Sequence, residues 1–184
     1  YFVPSCLLVA CTTDHVVAWH WCKKENSHTY TKLLEQLPAP LIVTTDGQRG
    51  ALKAITTQWP TATIQRCLIH IKRNIQTQIT LNPKLPAGKA LRALSLSLLK
   101  ITTADQAAAW LVLLQEFHTV YTPWLAEKTY KDDVEADQIP TRFKNNKTWW
   151  YTHYRHRSAY HLLEQLARNN QLFTFINPPE GVHM

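Results

Sequence analysis

The chain has 184 residues, 45% of them hydrophobic and 18% charged, which is enough apolar material to bury a core and excludes disorder as the default state. With 20 Lys and Arg against 13 Asp and Glu, its formal charge of +7 favours an anionic partner without requiring one. No apolar run approaches the roughly 18 residues of a membrane span, and the first residues lack the charged start and small-residue cleavage site of a signal peptide. Four cysteines at irregular spacing, three in apolar strand-like runs, read as buried reduced thiols and not as a disulfide framework. The expected protein is intracellular and free of the membrane.

The elements follow in chain order. Residues 2–13 (FVPSCLLVACTT) and 15–22 (HVVAWHWC) are β-rich runs separated by Asp14, so an antiparallel hairpin is expected, with both strands central and buried. Ser27 is placed to cap a helix with Tyr30, Leu33, Leu34 and Leu37 on one face, ended by Pro38 and Pro40. The strand LIVTT then runs into Asp46-Gly47. A helix carrying Ala51, Leu52, Ala54 and Ile55 ends at Trp59-Pro60, a short strand (ATIQRC) follows, and a helix spans 68–79. The predicted order is β-β-α-β-α-β-α. Beyond residue 80 the periodicity becomes helical, over 86–100, 103–128 and about 146–169, and this half reads as all-α. The acidic stretch Asp132, Asp133, Glu135, Asp137 reads as a solvated loop, with metal binding the sharper alternative.

Charge is unevenly distributed. No acidic residue lies between Asp46 and Asp105, where Arg49, Lys53, Arg66, Lys72 and Arg73 fall. A second acid-free run from Arg142 to His161 mixes Lys147, Arg155 and Arg157 with Trp149, Trp150 and several tyrosines. Cations interleaved with aromatics suit phosphates and unstacked bases; a solvated basic face is the plainer reading.

Two motifs carry chemistry. Asp46 stands directly after an apolar strand and before Gly, at the carboxyl end of a strand where open α/β sheets place ligand sites; alternatively it caps the helix beginning near Gln48. In QRCLIHIKRN (65–74), Cys67 and His70 share a helix face with Asn74. This is half of a zinc site without an obvious other half, His153 and His156 being the only comparable pair, or else an ordinary core Cys with a helical His.

The segment VTTDGQRGALKAITTQWPTATIQRCLIHIKRN resembles the stretch of Mutator-type transposases running from their second catalytic Asp to a Cys-x-x-His motif. DG, a Gly and Ala-Ile in the next helix, WP and QRC-x-x-H-x-x-RN occur in the family's order, with clear similarity over about residues 40–75. The resemblance implies an α/β fold: an RNase H-like mixed-sheet core over 1–80, and an all-α insertion over 81–184 leading toward the last catalytic element. It implies DNA strand cleavage and joining by a DDE triad holding two Mg²⁺ or Mn²⁺ ions, acting on transposon ends and target DNA, in a homo-oligomer. Asp46 takes the second-Asp role and that of metal ligand, while Cys67 and His70 lie beside the active site. Arg49, Lys53, Arg66, Lys72, Arg73, Lys147, Trp149, Trp150, Arg155 and Arg157 are the candidate DNA contacts.

Asp14 does not match the family's first Asp, which sits just before a segment like YFVPSCLLVA, and none of Glu116, Glu127, Glu135, Glu164 or Glu180 matches the family's Glu. The expectation is a fragment lacking two of three carboxylates and inactive alone, cytoplasmic or nucleoid-associated in a bacterium and nuclear in a eukaryote. The alternatives are a non-catalytic DNA-binding or assembly remnant of a transposase, and an RNase H-like nuclease acting on other substrates.

Overall fold

A computed structural model describes residues 5–144 and 147–178; Glu180 and the first residues of the opening strand lie outside them. Two compact units are present: one formed by residues 1–70 and 170–184, the other by residues 71–169.

The first unit realises the predicted order. Strands β1 (Cys6–Cys11) and β2 (Val16–Cys22) pair antiparallel, and helix α1 (Ser27–Leu34) follows. Strand β3 (Ile42–Thr45), helix α2 (Arg49–Gln58) and strand β4 (Thr63–Arg66) form a β-α-β unit with β3 and β4 parallel, and helix α3 (Leu68–Ile79) leaves from β4. The hairpin turns without glycine because the Thr12 hydroxyl accepts from the backbone N–H of His15 at 3.1 Å while Thr12 N–H bonds the His15 carbonyl at 2.8 Å. The cap of α1 is Asn26, one residue before the expected Ser27. Its carboxamide accepts from Thr29 N–H and the Thr29 hydroxyl accepts from Asn26 N–H, a reciprocal capping box.

Helix α1 is shared between two small cores. Leu33 packs with Leu8 and Ala18 of the hairpin, whereas Leu34 packs with Ala54, Ile55 and Trp59 of the β-α-β unit. Gly50 allows α2 to back onto the start of α1: a Cβ there would lie 2.8 Å from the Asn26 carbonyl carbon and 2.9 Å from Ser27 N.

Three expectations are corrected. Among the described residues the strands of this unit pair as two separate two-stranded sheets, and the single mixed sheet expected is not formed within them. The hairpin is not buried on both faces: cross-strand pairs Leu7–Trp21 and Val9–Trp19 leave the outer side exposed, with Trp21 at 64%, because α1 covers only the face of Leu8 and Ala18. The cysteines are free, and none is buried: Cys11 is exposed, the other three half-buried.

The second unit is mainly helical. It contains α3 from Ile71 onward, α4 (Pro86–Ser97), α5 (Ala104–Leu125) and α6 (Tyr154–Arg168), packed around Ile75, Leu91, Trp110, Phe117 and Leu163. Trp110 donates its indole N–H to the Leu94 carbonyl at 3.0 Å, satisfying its polar atom inside the core. Thr103 and Gln106 cap α5 reciprocally. The unit is not all-α. Strands β5 (Lys128–Tyr130) and β6 (Trp149–Tyr151) pair antiparallel where helix was expected, and α6 begins only at Tyr154. Three consecutive aromatics favour a strand, whose alternation sends Trp150 into the core and Trp149 and Tyr151 to the other face. The acidic stretch is exposed, and it opens on a single 3-10 turn (Lys131–Asp133) before becoming loop.

The returning segment closes the first unit through Gln65, which is 4% exposed. Its side chain donates to the carbonyls of Arg66 and Leu172 at 2.7 and 3.0 Å and accepts from the backbone N–H and hydroxyl of Thr174 at 3.0 and 2.7 Å. The backbone N–H of Arg66 donates to the Gln171 carbonyl at 2.8 Å. Gln65→Leu leaves those groups without partners, so it should destabilise the chain by about 1–3 kcal/mol in urea unfolding and selectively accelerate hydrogen exchange at Thr174. Unchanged exchange there would show that Gln65 does not hold the segment.

The hairpin generates a second prediction. Cys6 and Cys22 are cross-strand partners with Sγ atoms 3.0 Å apart. That hydrogen bond, then desolvation, pushes the Cys6 thiol up to about 11. Iodoacetamide at pH 8 should therefore label exposed Cys11 well before Cys6, as followed by peptide mass spectrometry; equal rates would contradict the pairing.

Candidate active site

Parallel pairing makes both strands of the β-α-β unit end together. The register aligns Thr45 with Arg66, and the Cys67 N–H continues the ladder by donating to the Thr45 carbonyl at 2.8 Å. Asp46 and Cys67 thus leave adjacent strand ends side by side. This is the edge at which a parallel β-α-β unit collects its functional side chains.

The turn after β3 is closely determined. The Thr45 hydroxyl accepts from Gly47 N–H at 3.2 Å, and Asp46 Oδ1 accepts from Gln48 N–H at 2.9 Å. Gly47 has φ +88, in the left-handed region. The helix-capping alternative for Asp46 fails on this geometry. Gln48 is the N-cap of α2, its side chain accepting from Ala51 N–H at 2.9 Å. Asp46 is exposed and keeps its second carboxylate oxygen outside the capping arrangement.

Arg66 lies directly beneath this turn. It is 7% exposed, and its Nη2 donates to the Asp46 backbone carbonyl at 2.8 Å. Its Nε has no hydrogen-bond partner among the described residues. Burial pushes the guanidinium below its ordinary range, against the attraction of Asp46. Sequence reasoning placed Arg66 among surface contacts to DNA. The structure withdraws it, since the end of β4 is covered on both faces and Gln65 and Arg66 are both shut in. Trp150 is withdrawn likewise: it is 6% exposed and stacks on Phe143 at 5.7 Å between centroids.

The other candidates remain accessible. Cys67 is half-buried at the entry of α3, and His70 and Asn74 are exposed on that helix. Among the described residues no group of three or more His, Cys, Asp or Glu is arranged to hold a metal, so neither the zinc reading nor a metal in the acidic loop has support here. Arg49 and Lys53 are exposed on α2. In the second unit, Lys72 and Arg73 line an open groove with Gln76, Thr77 and Thr80, and Arg155 donates to the Thr77 carbonyl at 2.6 Å. Lys147 is exposed. The outer face of the β5–β6 ribbon is an aromatic and cationic surface. Lys128 Nζ lies 4.2 Å from the Trp149 centroid, Arg157 lies 3.9 Å over Tyr151, and the two rings meet edge to face at 5.3 Å. Tyr151 belongs to the aromatic run read from the sequence, whereas Lys128 escaped notice because its pairing with Tyr151 becomes visible only once 149–151 is a strand.

Comparison with known proteins agrees with the motif reading. The chain is 27% identical over 169 residues to the transposase for insertion sequence element IS905 of Lactococcus lactis subsp. lactis (strain IL1403), an alignment covering 89% of this chain and 33% of that protein. The chain therefore spans about a third of the length of this curated relative. No solved structure matches. Among the described residues no helix is long and apolar enough to cross a membrane. The family profile "Transposase, Mutator family" matches residues 13–109, which include the β3 turn, Cys67 and His70, and the chain belongs to the Mutator family of transposases.

Proposed function

We propose that this chain is the central part of a transposase catalytic domain with an RNase H-like core, and that Asp46 is one of the carboxylates used in cutting and joining DNA. The observation that supports this reading is the state of Asp46. It stands at the carboxyl end of a parallel strand, exposed, in a turn fixed by Gly47 and Arg66, with the capping duty taken by Gln48. Cys67 and His70 follow from the neighbouring strand end and flank the same edge in this reading.

Phosphodiester attack of this class uses Mg²⁺ or Mn²⁺ held by several carboxylates. The described residues do not make that site, since no three His, Cys, Asp or Glu among them are grouped to hold a metal ion. In this proposal the remaining carboxylates come from other parts of a longer transposase, and this chain's own contribution is to hold Asp46 and to bind DNA. DNA binding rests on Arg49, Lys53, Lys72, Arg73, Lys147, Arg155 and Arg157, with Trp149 presented on the ribbon. A homo-oligomer is part of the same proposal.

Asp46→Asn in the full-length transposase should abolish strand cleavage and leave the melting temperature unchanged, because the Gln48 N–H keeps an oxygen acceptor. Cleavage within a few-fold of wild type would refute the role of Asp46 and favour a non-catalytic DNA-binding remnant.

DNA binding should be steep in salt and weak in sequence preference, with each lost phosphate contact reducing the log–log salt slope by about 0.9 on duplex DNA. The two tryptophans should separate. Trp150→Ala should cost stability, about 3–5 kcal/mol, whereas Trp149→Ala should weaken single-strand binding by about 1–3 kcal/mol at unchanged stability. If both substitutions cost only stability, the ribbon is a scaffold.

A further inference from the structure

We infer that Arg66 is the positioning residue of this site: its buried guanidinium, laid under the Asp46–Gly47 turn, sets the direction of the Asp46 carboxylate. The inference rests on the reading of Asp46 as a catalytic carboxylate and adds a residue whose hydrogen bond is to the Asp46 main chain.

Four observations carry it. Arg66 is the last residue of β4, in register with Thr45, so it rises from the strand that neighbours Asp46. Its Nη2 bonds the Asp46 carbonyl at 2.8 Å, which fixes the peptide between Asp46 and Gly47. A Cβ on Gly47 would overlap the Nη2, Cζ and Nε atoms of Arg66, so the guanidinium fills the space a side chain would need. Nε is buried without a partner among the described residues, a cost that surface placement would remove. A charged fork held in this state, with one end on the carbonyl of Asp46, is placed for geometry and not for solvation. Lysine cannot substitute, because its single ammonium lacks the flat fork that lies against Gly47 while reaching the carbonyl. With the peptide fixed, the Cα–Cβ bond of Asp46 is fixed as well, and the Gln48 N–H then selects which carboxylate oxygen faces the turn.

The test uses Arg66→Lys, Arg66→Ala, Gly47→Ala and the Arg66→Ala/Gly47→Ala pair in the full-length transposase, with Asp46→Asn as reference. Arg66→Lys should lower kcat for strand cleavage by about 100-fold, with KM for DNA within roughly threefold and the fold retained by circular dichroism. In the full-length transposase, the same substitution should accelerate exchange of the Gln48 amide, which reports the Asp46 carboxylate, while Ala54 in the middle of α2 keeps its protection. Gly47→Ala should reproduce the kcat loss. Added to Arg66→Ala it should cost less than it does alone, since the collision with the guanidinium is gone and only the strain of a side chain at φ +88 remains.

Wild-type kcat in Arg66→Lys and Arg66→Ala, with Asp46→Asn inactive, would overturn the inference and leave the role of Asp46 standing. Activity in Asp46→Asn would remove both. Parallel losses of melting temperature, KM and kcat in Arg66→Lys, or strictly additive effects in the double variant, would make Arg66 structural only and overturn the inference as well.

Discussion

The candidate site depends on a single pairing of two strands, each four residues long, joined by α2 and hydrogen-bonded in parallel. Parallel strands need a crossover, and a helix that supplies it leaves both carboxyl ends at one edge. From that constraint follow the adjacency of Asp46 and Cys67, the placement of Arg66 under the turn, and the departure of α3 carrying His70. A shift of one residue in this register would move Arg66 out from beneath Asp46 and turn its side chain to the opposite face.

Much of this is legible in the amino-acid sequence. The alternation of β and α segments, the bounds of α3 and the exposed carboxylate after β3 follow from apolar runs punctuated by Asp-Gly and Trp-Pro. The motifs also named the family. What escaped reading has physical causes. Trp149, Trp150 and Tyr151 are apolar enough for either a helix or a strand, and the choice is made by pairing with Lys128–Tyr130, nineteen or more residues earlier in the chain. The open side of the β1–β2 hairpin was invisible because alternating residues announce two faces but not whether something covers both.

Charge was the least transferable signal. Arg49, Lys53, Arg66, Lys72 and Arg73 are indistinguishable in a count of cations, yet Arg49, Lys53 and Arg73 face solvent whereas Arg66 is shut inside. Position on the strand, and not the local density of basic residues, decides that difference. Gln65 shows the same effect for a neutral polar group, since its neighbours in sequence give no hint that it meets Leu172 and Thr174.

That meeting has a consequence for how the protein is made. The bond from Gln65 to Leu172 spans 107 residues, most of which form the second unit. At ordinary rates of synthesis roughly 5–20 s separate the emergence of its two ends. During that interval β4 is a free edge of a two-stranded sheet, with the Arg66 N–H and the Gln65 carboxamide oxygen still lacking their partners at Gln171 and Thr174. An edge left open for so long is a template for mispairing with other nascent chains. Folding of the intervening unit, by drawing the two ends of a long loop together, shortens that exposure and lowers the entropy lost on closure.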